Sequence, residues 1–298
     1  MAAAIEQTTT ALPVYTSASF LRTVQRNVRR NPVGAAAGVI CVLLILLAVF
    51  GPSVSPYEAS SIDNGRLKDP TLAHPFGTDA LNRDILSRII VGARNSLGVA
   101  FAAIFVSTSV GIMLGISSGY VGGWLDQLVS RLMDVLISYP GIVFVIFFVV
   151  IFGQNFMAVA LAIGIILVPG TTRIVRSATL GVKAQQFIEA AISIGNSPLR
   201  IMYRHVLPNV AAPIIVIASV QIGIAILIES GISFLGLGVS SAVSPSWGRM
   251  LGESRPSWQI AWWTMIFPGA AISFTVVAYN IFGDALRDWL DPRLRGTR

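Results

Sequence analysis

The chain alternates between long apolar runs and shorter polar stretches. A helix needs about 20 mostly apolar residues to cross a bilayer. Runs approaching or exceeding that length are expected to form spans at about Val33–Phe50, Ser96–Gly119, Leu128–Phe152, Phe156–Thr172, Ala212–Leu235 and Trp262–Phe282. Proline and glycine punctuate them. Gly51-Pro52 should close the first span, Pro140-Gly141 should kink the third, and Pro169-Gly170 should loosen the end of the fourth. Gly111, Gly115, Gly119 and Gly123 recur every four residues, which lets another helix approach closely. This ladder reads as ordinary bundle packing rather than a ligand feature. Gly122-Gly123 and Asp126 mark a turn, and Arg131 and Asp134 have the spacing of a helical ion pair.

An even number of spans puts both termini on one face. Arg22, Arg26, Arg29, Arg30 and Arg131 fall there, with the basic group from Arg173 to Arg204 and Arg293, Arg295 and Arg298. Basic loops stay in the cytoplasm, so that face is expected to be the inner one. The expected organisation follows. Residues 1–32 form a cytoplasmic tail, with Phe20 to Arg30 as an interfacial helix. Residues 33–52 form the first span and 53–92 an extracytoplasmic segment of mixed charge. Residues 93–284 form the core, with a cytoplasmic loop at 183–210 and an extracytoplasmic loop at 237–260. Residues 285–298 form a second cytoplasmic tail. Trp247, Trp258, Trp262 and Trp263 suit an interfacial aromatic belt.

Composition agrees. The 298 residues are 54% hydrophobic and 12% charged, with a mean hydropathy of +0.74. A soluble domain carries about twice that charged fraction. The net charge of +7 is therefore read as span-flanking arginine and lysine, not as a nucleic-acid surface. The single cysteine, Cys41, can form neither an internal disulfide nor a cluster.

One stretch is too polar for lipid yet lies between two spans: Gln186 to Asn209, with Glu189, Arg200, Arg204 and His205. It reads as two short helices. Gly195 can end the first in a left-handed conformation. Asn196 or Ser197 can cap the second, with Pro198 at its first position. Leu199, Met202, Tyr203 and Val206 would form one apolar face, and Pro208 would end it. Such an element on a membrane protein suggests a docking partner, the plainer reading being a loop that covers the bundle.

Glu189-Ala190-Ala191, Gly195 and Leu207-Pro208 resemble the EAA motif of permeases of ATP-driven (ABC) importers. Four further stretches resemble the dipeptide/oligopeptide/nickel subfamily: His74 to Asp84, Ser233 to Gly238, Pro245 to Leu251, and Gly283 to Arg293. Asn82 stands where that subfamily usually has glycine, and Val239 to Ser244 lacks prolines often seen there. The resemblance implies an all-α membrane bundle of six spans with the type I importer permease fold, in the bacterial cytoplasmic membrane. It implies a second permease, two ATPase subunits and an extracytoplasmic binding protein as partners, besides the lipid bilayer. Glu189, Ala190, Ala191, Gly195, Leu207 and Pro208 would couple to the ATPases. Specificity would reside largely in the binding protein. Peptides are the expected cargo, with nickel chelates, opines and oligosaccharides as alternatives.

Nothing points to an enzyme. There is no G-x-x-x-x-G-K-[ST] loop, no H-E-x-x-H, no cysteine pair and no G-x-S-x-G. The two histidines, His74 and His205, fall on opposite faces in this topology. No cofactor is expected on this chain, so ATP and Mg would belong to the partner subunits. Possible pathway residues are Gln221 and Glu229 in the fifth span, Asn280 in the sixth and Thr171 in the fourth. An ionisable group within a span is a functional candidate by default. Glu229 lies so far along its span that a structural role is preferred for it. A passive channel, an ion-coupled carrier and a non-transporting scaffold are the rivals to an importer subunit.

Overall fold

The computed structural model describes residues 31–239 and 245–290. The N-terminal tail, where an interfacial helix is expected, residues 240–244 and the arginines beyond Leu290 lie outside the described residues. Eleven helical segments form the described structure: α1 Pro32–Val54, α2 Ile85–Val121, α3 Gly123–Ser138, α4 Gly141–Phe152, α5 Phe156–Lys183, α6 Gln186–Ser193, α7 Pro198–Ile201, α8 Leu207–Asn209, α9 Ala211–Phe234, α10 Trp247–Ser254 and α11 Trp263–Leu290. A π-helical turn, Met202–Val206, joins α7 to α8.

Five of these are long and apolar enough to cross a membrane: α1, α2, α5, α9 and α11. The expected third span is the pair α3 and α4, bent by 88° at its break. Counting that pair as one span gives six. The break lies at Tyr139-Pro140, where proline cannot donate to the preceding turn.

Several boundaries differ from the hydropathy reading, each for a local reason. Helix α2 begins at Ile85, not Ser96, because the Asp84 carboxylate caps it by accepting from Ser87 N at 2.8 Å. Helix α1 runs past Gly51-Pro52 to Val54, with Pro52 in its last turn. Helix α5 does not stop near Thr172 but carries Arg173, Arg176 and Lys183 to its own end. There Lys183 Nζ donates to Tyr120 O at 2.7 Å.

Helices α2 and α5 form the centre of the bundle. A Cβ on Gly111 would come within 2.6 Å of the Thr171 side chain, one on Gly115 within 2.7 Å of Val175, and one on Gly119 within 2.9 Å of Thr179. The ladder is thus three glycines that bring α2 against α5. Gly123 does not belong to it: it starts α3 at φ +61° with nothing within 4 Å of its Cβ position. The Arg131–Asp134 pair does not form either. Asp134 bonds Arg173 of α5 at 2.7 Å instead, and Asp126 bonds Arg176 at 2.6 Å. Both bonds tie α3 across to α5. The aromatic belt is divided: Trp258 and Trp262 are exposed, while Trp247 and Trp263 are buried in the core.

Candidate functional site

The 184–210 end of the bundle carries a helix pair. Helix α6 spans Gln186–Ser193, and Gly195 turns the chain at φ +80°, a left-handed conformation that glycine adopts without steric cost. Ser197 occupies the capping position of α7 but makes no side-chain capping bond, and Pro198 sits at the first helical position. The helix does not end at Pro208. The π-turn over Met202–Val206 precedes it, and α8 runs through it to Asn209. Proline brings no N–H, so a shift in the hydrogen-bond register just before it lets the helix continue.

The pair is pinned by an apolar cluster. Ile188, Ala191, Ile201, Val206 and Val210 pack with Ile116 and Tyr120 of α2 and Val175 of α5. The buried stripe of the second helix is therefore Ile201 and Val206. Leu199 and Tyr203, expected to share one apolar face with Met202 and Val206, are instead 76% and 77% exposed. Of the motif residues, Ala191 faces the chain's own bundle, while Glu189, Ala190, Gly195 and Pro208 are exposed and Leu207 is half-buried. With Ile192 and Ile194, the pair presents a large unpartnered apolar surface beside Glu189, Arg200 and Arg204.

The opposite end is closed. Residues 55–84 fold over it, with an isolated antiparallel bridge between Thr78 and Asp84. His74 Nδ1 lies 2.9 Å from the buried Asp84 carboxylate. Asn82 adopts φ +63°, a conformation that asparagine tolerates better than most residues, so it can replace the family's usual glycine. Helix α10 dips back against α2 and α9. A Cβ on Gly248 would lie 2.3 Å from Ser230 O, and one on Gly252 would lie 2.7 Å from Phe234 O. Trp247 Nε1 donates to Ile89 O at 2.9 Å, and Trp263 Nε1 to Thr78 O at 3.2 Å.

A charge cluster joins these pieces. Glu253 of α10 accepts from Arg83 at 2.7 Å, Arg88 at 2.8 Å and Arg249 at 3.0 Å, and Asp79 accepts from Arg83 at 2.7 Å. Burial pushes the Glu253 carboxyl up, but the Arg88 and Arg83 guanidiniums outweigh it and hold the group below the usual carboxylate range. The sequence pattern places Asp79, Arg83 and Arg88 in an outer segment of mixed charge and does not bring them together with Arg249 and Glu253. The local signals are the four-residue spacings of Asp79 and Arg83 and of Arg249 and Glu253.

Three of the four pathway candidates are buried within the chain. Gln221 Oε1 accepts from Thr171 Oγ1 at 3.1 Å and Ser107 Oγ at 3.3 Å, and its Nε2 donates to Leu167 O at 3.2 Å. This knot ties α9 to α2 and α5. Glu229 is fully buried, with Ser233 Oγ at 2.7 Å and Ser230 Oγ at 3.5 Å, and it also bonds the hydroxyls of Ser96 and Ser246. Ser246 caps α10, so Glu229 holds that helix's start against α2. Asn280 alone is exposed, beside Gly223 of α9. Among the described residues no group of three His, Cys, Asp or Glu side chains could hold a metal.

The arrangement is a membrane bundle closed at one end and open to a partner at the other. Residues 111–296 match the family described as "Binding-protein-dependent transport system inner membrane component", and residues 19–75 match "N-terminal TM domain of oligopeptide transport permease C". The chain is 41% identical over 273 residues to the glutathione transport system permease protein GsiD of Escherichia coli O6:K15:H31 (strain 536 / UPEC), covering 91% of this chain and 90% of the relative. It is 40% identical over 282 residues to the dipeptide transport system permease protein DppC of Alkalihalophilus pseudofirmus, covering 94% and 92%. An inward-facing structure of the methionine ABC transporter MetNI shares the fold, with a TM-score of 0.55 and 19% identity over 67% of this chain and 94% of that one. The bundle thus has the type I importer permease architecture. With relatives matched almost end to end, this chain belongs to the binding-protein-dependent ABC transport permeases, the membrane-spanning components of such systems.

Proposed function

We propose that this chain is one of two permease subunits of an ATP-driven importer of small peptides, and that the α6–α8 element receives the movement of the ATPase subunits. The observation that carries the coupling role is the element's two-sidedness. Ile188, Ala191, Ile201 and Val206 fix it to α2 and α5, while Glu189, Ala190, Leu199 and Tyr203 face outward. A push on the outward face would pass through packed side chains to the two central helices, because close-packed interiors transmit displacement. The chain itself contributes no nucleotide loop, so ATP and Mg would bind to the partners. In this reading the 184–210 end and both termini face the cytoplasm. Residues 55–84 and α10 face the binding protein. Membership of the family supports the ATPase and binding-protein partners in kind, and the relatives named for glutathione and dipeptide transport support a small-peptide cargo.

The test is reconstitution of the complex in liposomes with its binding protein and labelled dipeptide or glutathione. Uptake should require ATP. Glu189→Trp and Gly195→Leu should leave membrane insertion intact while uncoupling ATP hydrolysis from uptake. Normal uptake in both variants would rule out the coupling role, and flux without ATPase subunits would point to a channel or carrier.

A further inference from the structure

The helices of this bundle differ in what they leave uncovered. The exposed side chains of α4 and α9 are all apolar, and so are those of α1 from Val33 to Phe50. Helix α11 is different. Its exposed positions Ala270, Ser273, Val277, Asn280, Asp284 and Arg287 follow one another at steps of three and four residues, and four of the six are polar. Alternating steps of three and four are the spacing of a coiled-coil seam, so the six lie in one stripe along the helix. Among the described residues the structure gives Ser273, Asn280, Asp284 and Arg287 no hydrogen bond or ion pair.

Depth makes this stripe unfavourable in lipid. Helix α11 has 28 residues and is about 40 Å long at 1.5 Å per residue. A hydrocarbon layer of about 30 Å centred on it begins about 5 Å from either end. Ser273 and Asn280 then fall inside the layer, about 15 Å and about 26 Å from Trp263. Asp284 and Arg287 fall at its edge nearer Leu290. A primary amide at the depth of Asn280 cannot be satisfied by lipid. A facing helix can satisfy it: small residues such as Ala270 and Ser273 admit a close neighbour, and side-chain amides bond across helix pairs.

We propose that the α11 stripe is the seam along which this chain meets a membrane span of the second permease. Asn280 would bond a polar side chain of that span, and Asp284 and Arg287 would pair with its charges. The inference rests on the importer reading above and gives its second permease a place on this chain. A second copy of this chain fits the stripe poorly. Two copies related by a two-fold axis along the membrane normal would set each seam residue beside its own counterpart, Asp284 against Asp284 and Arg287 against Arg287. Such like-charge contacts are costly. A different chain can offer the opposite signs.

The test uses membranes holding the complete transporter. The photoreactive residue p-benzoylphenylalanine replaces Val277 on the stripe or, as a control, the similarly exposed Val42 of α1. Irradiation should join position 277 to the second permease, identified by mass, at least about fivefold more often than position 42. Asn280→Leu should lower the second permease co-purified in detergent at least about threefold, the effect of one interhelical hydrogen bond, whereas Asn280→Gln retains most of it. Equal yields at positions 277 and 42, or adducts at 277 with lipid alone, would overturn the proposal. Adducts at 277 with a second copy of this chain would overturn it too. In each case ATP-dependent uptake by the parent complex would leave the importer reading standing. Adducts with the second permease in a complex without ATP-dependent uptake would keep the seam and overturn the importer reading.

Discussion

The two ends of the bundle are held by different forces. At the α10 end, charges are buried and paired across elements: Arg83 and Arg88 are nearly inaccessible and share Glu253. Backbone meets backbone at Gly248 and Gly252. At the 184–210 end the attachment is apolar, through Ile188, Ala191, Ile201 and Val206. The Asp134–Arg173 ion pair near that end is about half exposed, and such pairs contribute at most about 1 kcal/mol. The difference separates rigidity from readiness. At the closed end the buried charges find their partners within this chain. The other end has a firm inner face and an outer face that gains from a partner.

Four substitutions would break or sharpen that contrast. The largest effect is expected at the closed end. Gly248→Val would drive a side chain into the Ser230 backbone and should cost more than about 4 kcal/mol, seen as loss of folded protein in detergent thermal unfolding. A melting curve like the parent's would mean that α10 is not clamped. Glu253→Ala would leave two buried guanidiniums short of a partner and should cost about 3 kcal/mol. Because the folded-state pKa of Glu253 is depressed, its contribution is present above the unfolded value, near 4.3, and is lost as pH falls through the folded one. Hydrogen exchange in α10 should therefore quicken as pH drops below about 4, after correction for intrinsic rates, and this response should vanish in Glu253→Ala.

At the other end, Ile201→Ala should cost about 2 kcal/mol by opening a cavity under α7, with faster exchange confined to 184–210. Spread of that effect to α10 would show that the two ends are not independent. The smallest stability change belongs to Leu199→Ser, within about 0.5 kcal/mol, because the side chain is exposed. Its effect should instead be weaker association with the ATPase subunits, read by co-purification. Unchanged association would remove Leu199 from the docking face.

The Gln186–Asn209 element was legible because a polar stretch between spans must leave the lipid, and Gly195 turns as its residue type demands. Which side faces outward was not. Leu199 and Tyr203 have the hydropathy of core residues, and only the packing of Ile201 and Val206 on α2 and α5 turns them away. The candidate pathway shows the same limit. Gln221, Thr171, Glu229 and Asn280 look alike in sequence as polar residues within apolar runs, yet three meet partners on other helices and one does not.

By itself the sequence determined the all-helical class, the approximate positions of the six expected spans, the turn at Gly195 and the break beside Pro140. These follow from hydropathy and backbone sterics, which act over a few residues and are written locally. Tertiary structure alone decided that Asp79, Arg83, Arg88 and Glu253 form one cluster, that Asp134 pairs with Arg173 and not Arg131, and that Asn280 stays exposed. Arg83 and Glu253 are 170 residues apart. No local pattern encodes such a pairing, because its energy depends on burial and distance, and those exist only once the helices have packed.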